Sequence, residues 1–139
     1  MTLPPADRLD ILDVVTRADN AATGRDAAAY AALFTADAVL GGSQGTHPAA
    51  GLREAVGPIW AAEGSPSLHL TLNPVIEVIT SNEVIVTSVL LIVTPAAQIA
   101  IQTAAAITQT LRRTDDGWRI SRRTVAPPET PDAAVSARA

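Results

Sequence analysis

The sequence predicts an α+β fold, a curved and mostly antiparallel sheet wrapped around three N-terminal helices. Three observations carry that expectation. Apolar residues recur at intervals of three and four as far as about residue 63, the period of a helix face. From Ser67 to Pro95 the chain reads SLHLTLNPVIEVITSNEVIVTSVLLIVTP, two strand-forming runs around the polar break Thr80–Glu83, which predicts a hairpin. A third long run ends at Asp115-Asp116-Gly117, a tight-turn signal that leads into a last strand. Helices gathered on one face of a sheet give this class.

In chain order, Pro4-Pro5-Ala6-Asp7 predicts a turn with Asp7 as helix N-cap. Leu9, Ile11, Leu12, Val15, Ala18 and Ala22 then make an apolar stripe, with Asp19 at its edge and Thr23-Gly24 as the stop. Asp26 caps a second helix through Phe34, with Tyr30, Leu33 and Phe34 inward. A short strand covers Ala38 to Leu40, and composition predicts a loop over Gly41–Pro48. A third helix over about Gly51–Glu63 buries Leu52, Val56, Ile59 and Trp60, and Pro58 kinks or limits it.

The hairpin follows. Its second arm, Val84–Val93, is apolar at nearly every position, which predicts burial of both faces. The run Gln98–Arg113 admits a helical reading around Thr103–Ala106, though the alternation of Ile99, Ile101 and Thr103 favours a strand. Trp118, Ile120 and Val125 mark the last strand. The chain is therefore expected to hold one domain over residues 1–126, with a disordered Pro- and Ala-rich tail over 127–139.

Composition narrows the chemistry. The 139 residues contain no cysteine, which excludes disulfides, zinc–thiolate sites and thiol nucleophiles. All ten basic residues are arginine, so Schiff-base and P-loop lysine chemistry are excluded too. A net charge of −4 with one short basic cluster, Arg112-Arg113 and Arg119–Arg123, argues against nucleic acid as a partner. Hydrophobic residues make up 47%, but no run reaches the ~18–20 apolar residues of a membrane span. Without a signal-peptide pattern the expected location is cytoplasmic. No cofactor is expected, and two distant histidines without a helical partner argue against a metal site.

The runs Gly24-Arg25-Asp26, Leu33-Phe34 and Asp37-Ala38-Val39 carry a resemblance, as do His69–Asn73 and Leu111–Ile120. Over roughly residues 7–126 the chain resembles the SnoaL-like proteins of the cone-shaped superfamily named for nuclear transport factor 2. That implies a cystatin-like cone, a homodimer, and an apolar pocket for a small hydrophobic molecule. The superfamily includes isomerases, polyketide cyclases, dehydratases, epoxide hydrolases, oxygenase accessory subunits and binding proteins, so the fold alone names no reaction. The resemblance also shows what is missing. Ala18 stands where isomerases hold the substrate with tyrosine, Gly42 near their carboxylate base, and Ser88 where dehydratases place a second histidine. No aspartate lies between Asp37 and Asp115 for an epoxide-hydrolase or cyclase set.

His69 is the leading catalytic candidate, since histidine can exchange protons near neutral pH, and the dehydratases carry histidine at the matching place. Strand alternation leaves its direction open. His69, Thr71 and Asn73 share one face, and Leu68, Leu70 and Leu72 share the other. Asp19, at the rim of an apolar helix face, is the second catalytic candidate. Tyr30, Trp60, Asn73 and Ser88 are the expected ligand-binding residues. His47 is read as an exposed loop residue or part of a lid. Glu77, the one acid inside a predicted strand, lies about 26 Å from His69 along an extended chain and is set aside. The expected function is binding of a small apolar molecule, with acid/base proton transfer of isomerase, cyclase or dehydratase type. The alternatives are a non-catalytic binding or dimerisation module and an oxygenase accessory subunit.

Overall fold

A computed structural model describes residues 2–42, 45–64 and 66–127. The proposed tail lies outside them apart from Pro127. Helix α1 spans Pro5–Thr23 and α2 spans Ala27–Ala31; strand β1 follows at Phe34–Gly42 and β2 at Gly45–Pro48. Helix α3 spans Leu52–Glu63, and four long strands complete the chain: β3 Leu68–Thr80, β4 Glu83–Thr94, β5 Ala100–Thr114 and β6 Gly117–Ala126. They form one six-stranded sheet in the order β2-β1-β6-β5-β4-β3, antiparallel except where β1 pairs parallel with β6. The fold is α+β, as expected. Among the described residues no helix is long and apolar enough to cross a membrane.

The helices pack on one face of the sheet. Ile11, Val15, Ala18 and Ala22 of α1 and Leu52, Val56 and Trp60 of α3 share a core with Val84 and Val86 of β4, Leu111 of β5, and Trp118 and Ile120 of β6. Burying each large side chain contributes about 1.5–3 kcal/mol, and Leu52, Val56 and Leu111 are at most 1% exposed.

Four local expectations need correction. Helix α1 starts at Pro4-Pro5 and not at Asp7, because proline at N1 forfeits an N–H that has no helical partner. Asp26 does cap α2, accepting from Ala29 N–H, but the helix ends at Ala31 and Phe34 already opens β1. The Gly-rich stretch read as a loop pairs as the end of β1 with β2, Leu40 opposite His47 and Gly42 opposite Gly45, while Ser43 and Gln44 lie outside the described residues. Lastly, β4 buries one face only. Val84, Val86, Leu90 and Ile92 point inward, whereas Val89, with Leu68, Leu70 and Leu72 of β3, lies on the exposed outer face.

Asp7 has another task. Its carboxylate accepts two hydrogen bonds from Arg113 at 2.9 and 2.8 Å and one from Trp118 Nε1 at 3.2 Å, tying α1 to the β5–β6 turn. Those bonds, Arg113 first and Trp118 second, hold the carboxyl below its usual range. A depressed folded-state pKa stabilises the protein above the unfolded carboxylate pKa of about 3.9, and the gain disappears as pH falls through the folded value. Asp7→Asn is therefore expected to lower the thermal midpoint at pH 7. The gap from the parent should narrow as pH falls below about 3.9, in thermal melts followed by circular dichroism.

Candidate functional site

Three chain ends meet on the inner side of the sheet: the C-termini of α1 and α3 and the start of β3. At the end of α1, Asp26 N–H bonds back to Ala21 O at 2.8 Å and Arg25 N–H to Ala22 O at 3.2 Å. In this kind of helix stop the residue just past the cap adopts the left-handed conformation and is normally glycine. Here that residue is Arg25, with φ 57°, a conformation costing roughly 1–2 kcal/mol without glycine. Its side chain offsets the strain. The guanidinium donates to Ala22 O at 2.9 Å, Gly64 O at 2.8 Å, Ser67 Oγ at 2.7 Å and Glu63 Oε2 at 3.4 Å. It also lies 5.9 Å from the centre of the Trp60 ring.

Glu63 in turn accepts from His69. The Nε2–Oε2 distance is 2.7 Å, and His69 is 7% exposed. His69 backbone N–H donates to Thr23 Oγ1 at 2.9 Å, which pins the strand start to the end of α1. With Glu63 ionised, the ring proton sits on Nε2. The lone pair is then on Nδ1, which makes no hydrogen bond among the described residues. The carboxylate orients the ring and would stabilise an imidazolium, the role that carboxylates play toward catalytic histidines.

His69 lines a cavity of about 400 Å³ between the helices and the sheet. That volume is in the usual range for small-molecule sites. Its walls include Tyr30, Ile59, Trp60 and Glu63 from the helices, Leu90 and Ile92 from β4, Leu40 from β1, His47 from β2, and Arg123 and Val125 from β6. Trp60 and Tyr30 meet edge to face at 5.4 Å. Burial pushes the Tyr30 phenol up, only partly countered by the nearby Arg123, so the hydroxyl stays neutral.

Arg123, 3% exposed, donates to Gln109 Oε1 at 3.2 Å, and its Nη2 stands 3.9 Å from Asp19 Oδ1. Asp19 is 5% exposed, does not itself line the cavity, and makes no hydrogen bond to His69. Its place is beside Arg123. Two expected ligand-binding residues fall outside the lining. A bulge between Leu72 and Val75 breaks the β3 alternation, so Asn73, with φ 54°, leaves the His69 face and is exposed. Ser88 points inward opposite that bulge, but its buried Oγ lies outside the cavity and has no partner among the described residues.

A family model described as a SnoaL-like domain matches residues 5–124. The chain belongs to the SnoaL-like family. No match was found among curated proteins. Among solved structures, one of a cystatin-like-fold protein of unknown function from Nostoc punctiforme superimposes with a TM-score of 0.83 at 22% identity. It covers 94% of this chain and 98% of its own. A nuclear transport factor 2-like protein from Novosphingobium aromaticivorans gives 0.78 at 20% identity, over 94% and 88%. The hexachlorocyclohexane dehydrochlorinase LinA-type3 from Novosphingobium barchaimii gives 0.75 at 20%, over 86% and 85%.

Within this SnoaL-like cone, sequence reasoning missed Glu63, Arg25 and Arg123. Glu63 ends a helix six residues before His69, whereas the expected assisting carboxylate was Asp19 on the first helix. Arg123 was read as part of a basic cluster. Its signal was the odd spacing from Ile120 to Val125, because an extra residue at Ser121 shifts the β5–β6 register and turns Arg123 inward.

The Arg25 network gives a direct test. Arg25→Ala should destabilise the protein by about 1–3 kcal/mol through lost charged hydrogen bonds. Arg25→Gly should cost less by up to about 1 kcal/mol, since glycine tolerates the positive φ. Urea denaturation of both variants measures the difference.

Proposed function

We propose that this SnoaL-like protein holds a small, mostly apolar molecule in its cavity and moves a proton on it, as isomerases, cyclases and lyases do. The observation that carries the reading is the His69–Glu63 pair, buried at the wall of that cavity, with Nδ1 unpartnered among the described residues. In the proposed step Nδ1 takes a proton from an acidic C–H or O–H, and Glu63 stabilises the imidazolium. The electron pair left behind forms a double bond, rearranges or expels a leaving group, and the imidazolium returns the proton to the product or its leaving group. One structural neighbour is a dehydrochlorinase, and loss of HCl likewise removes a proton from carbon. Asp19, beside Arg123, supports the cavity wall and does not exchange the proton.

The test uses a thermal-shift screen of apolar ketones, epoxides and aromatic polyketides, followed by deuterium exchange of a bound ketone's α-protons in D2O. His69→Ala should keep the thermal shifts and slow exchange by about 10²–10⁴-fold. Glu63→Gln should slow it less. Exchange at the parent rate in His69→Ala would sink the proposal.

The outer sheet face favours a further reading, in which the protein is a homodimer. Leu68, Leu70, Leu72 and Val89 expose 37–41% of their surface side by side on β3 and β4, and Ile101 of β5 exposes 63%. Contiguous apolar surface of this kind marks association sites. A second copy covering it would restore the two-sided burial that the β4 sequence predicts. Leu70→Glu should then shift the sedimenting species from dimer to monomer without loss of the thermal transition.

A further inference from the structure

The two edge strands of the sheet both reach the same cavity, β3 through His69 and β2 through His47. His47 is paired with Leu40 of β1, Leu40 with Arg123 of β6, and Arg123 with Gln109 of β5. Paired residues share a face, so His47, Leu40, Arg123 and Gln109 form one row across the inner side. His47 and Arg123 are two strands apart, about 10 Å between backbones, within reach of a single ligand group. The other polar wall belongs to a different row, His69–Ile92–Thr103, six residues further along β5. Leu40, Leu90, Ile92, Ile59 and Trp60 supply the apolar surface of the cavity.

The chemistry of the His47 row is that of a donor site. His47 Nε2 is fully buried without a hydrogen-bond partner among the described residues. Arg123 commits Nη1 to Gln109, while Nη2 has no hydrogen bond among the described residues, because Asp19 at 3.9 Å is too far to accept one. A buried polar atom such as His47 Nε2 is costly unless something pairs with it. Asp19, outside the row, balances the guanidinium charge from 3.9 Å.

We propose that His47 and Arg123 form a second subsite that binds a neutral carbonyl oxygen of the ligand, while the remainder of the molecule extends toward His69. This rests on the cavity reading above and gives it a ligand class: a mostly apolar ketone, ester or amide. The subsite orients the ligand through its carbonyl, which accepts from Arg123 Nη2 and from His47 in its Nε2–H tautomer. A carboxylate gains less, since it meets Asp19 as well as Arg123.

Titration calorimetry with three matched probes tests this: naphthyl methyl ketone, ethylnaphthalene, which lacks an acceptor, and naphthoate. The parent protein should bind the ketone about tenfold tighter than the hydrocarbon, the value of one good hydrogen bond, and naphthoate no tighter than the ketone. His47→Ala should cut the ketone preference to within about twofold, and His47→Gln, which keeps a donor, should retain much of it. An undiminished preference in a folded His47→Ala, or tightest binding of naphthoate, overturns the subsite. Failure of the parent protein to bind any probe overturns it together with the cavity reading. Proton transfer is judged separately. If exchange of the ketone's methyl protons survives His69→Ala while the preference still depends on His47, the base assignment falls and the subsite stands.

Discussion

The inner end of the cavity depends on Arg25 holding a backbone conformation that arginine disfavours. The left-handed turn ends α1 and redirects the chain, and the side chain repays its strain by binding Ala22, Glu63, Gly64 and Ser67 together. A glycine would make the same turn without strain but could not hold Glu63. His69 would then face a carboxylate held by Ser67 at 3.5 Å and by the imidazole itself, without the guanidinium. Strain that persists because its surroundings enforce it is typical of functional sites, and here it fixes the orientation of the one histidine with a carboxylate partner.

The second costly feature is the buried Arg123–Asp19 pair. Taking two charges from water costs several kcal/mol per ion, which their attraction at 3.9 Å offsets without the further gain of a hydrogen bond. Two apolar residues at these positions would be expected to give a fold of equal or greater stability. The pair is better understood as a device for the cavity, a fixed dipole set in an apolar wall. The helix-side aromatics link the two polar regions: Tyr30 lies 5.9 Å from Arg123 and contacts Trp60, which Arg25 covers.

The fold was largely legible because its long elements are strongly patterned. The Thr80–Glu83 break predicts the β3–β4 turn, and Asp115-Asp116-Gly117 predicts the β5–β6 turn where glycine adopts φ 97°. What stayed hidden were features without a local pattern. Glycines over 41–45 read as a loop, since pairing between backbones leaves no side-chain signature. Burial of one β4 face depends on what covers the sheet and not on β4 itself. At the site, His69 was legible as a candidate, but its partner lies across a loop, and Arg123 and Asn73 owe their directions to bulges that strict alternation does not anticipate.

The extra residue at Ser121 bears on how the site tolerates change. A one-residue slip exchanges the two faces of a strand, so a slip that absorbed the bulge while keeping Ser121 would send Arg123 outward. Its neighbour is Arg122, and the slipped strand would still present an arginine to the cavity, with Thr124 replacing Val125 in the wall. The doubled arginine makes the buried positive charge indifferent to a local insertion or deletion in β6, whereas the apolar lining next to it is not. Among descendants of this chain, the cation can outlast changes in strand length that remodel the shape of the pocket around it.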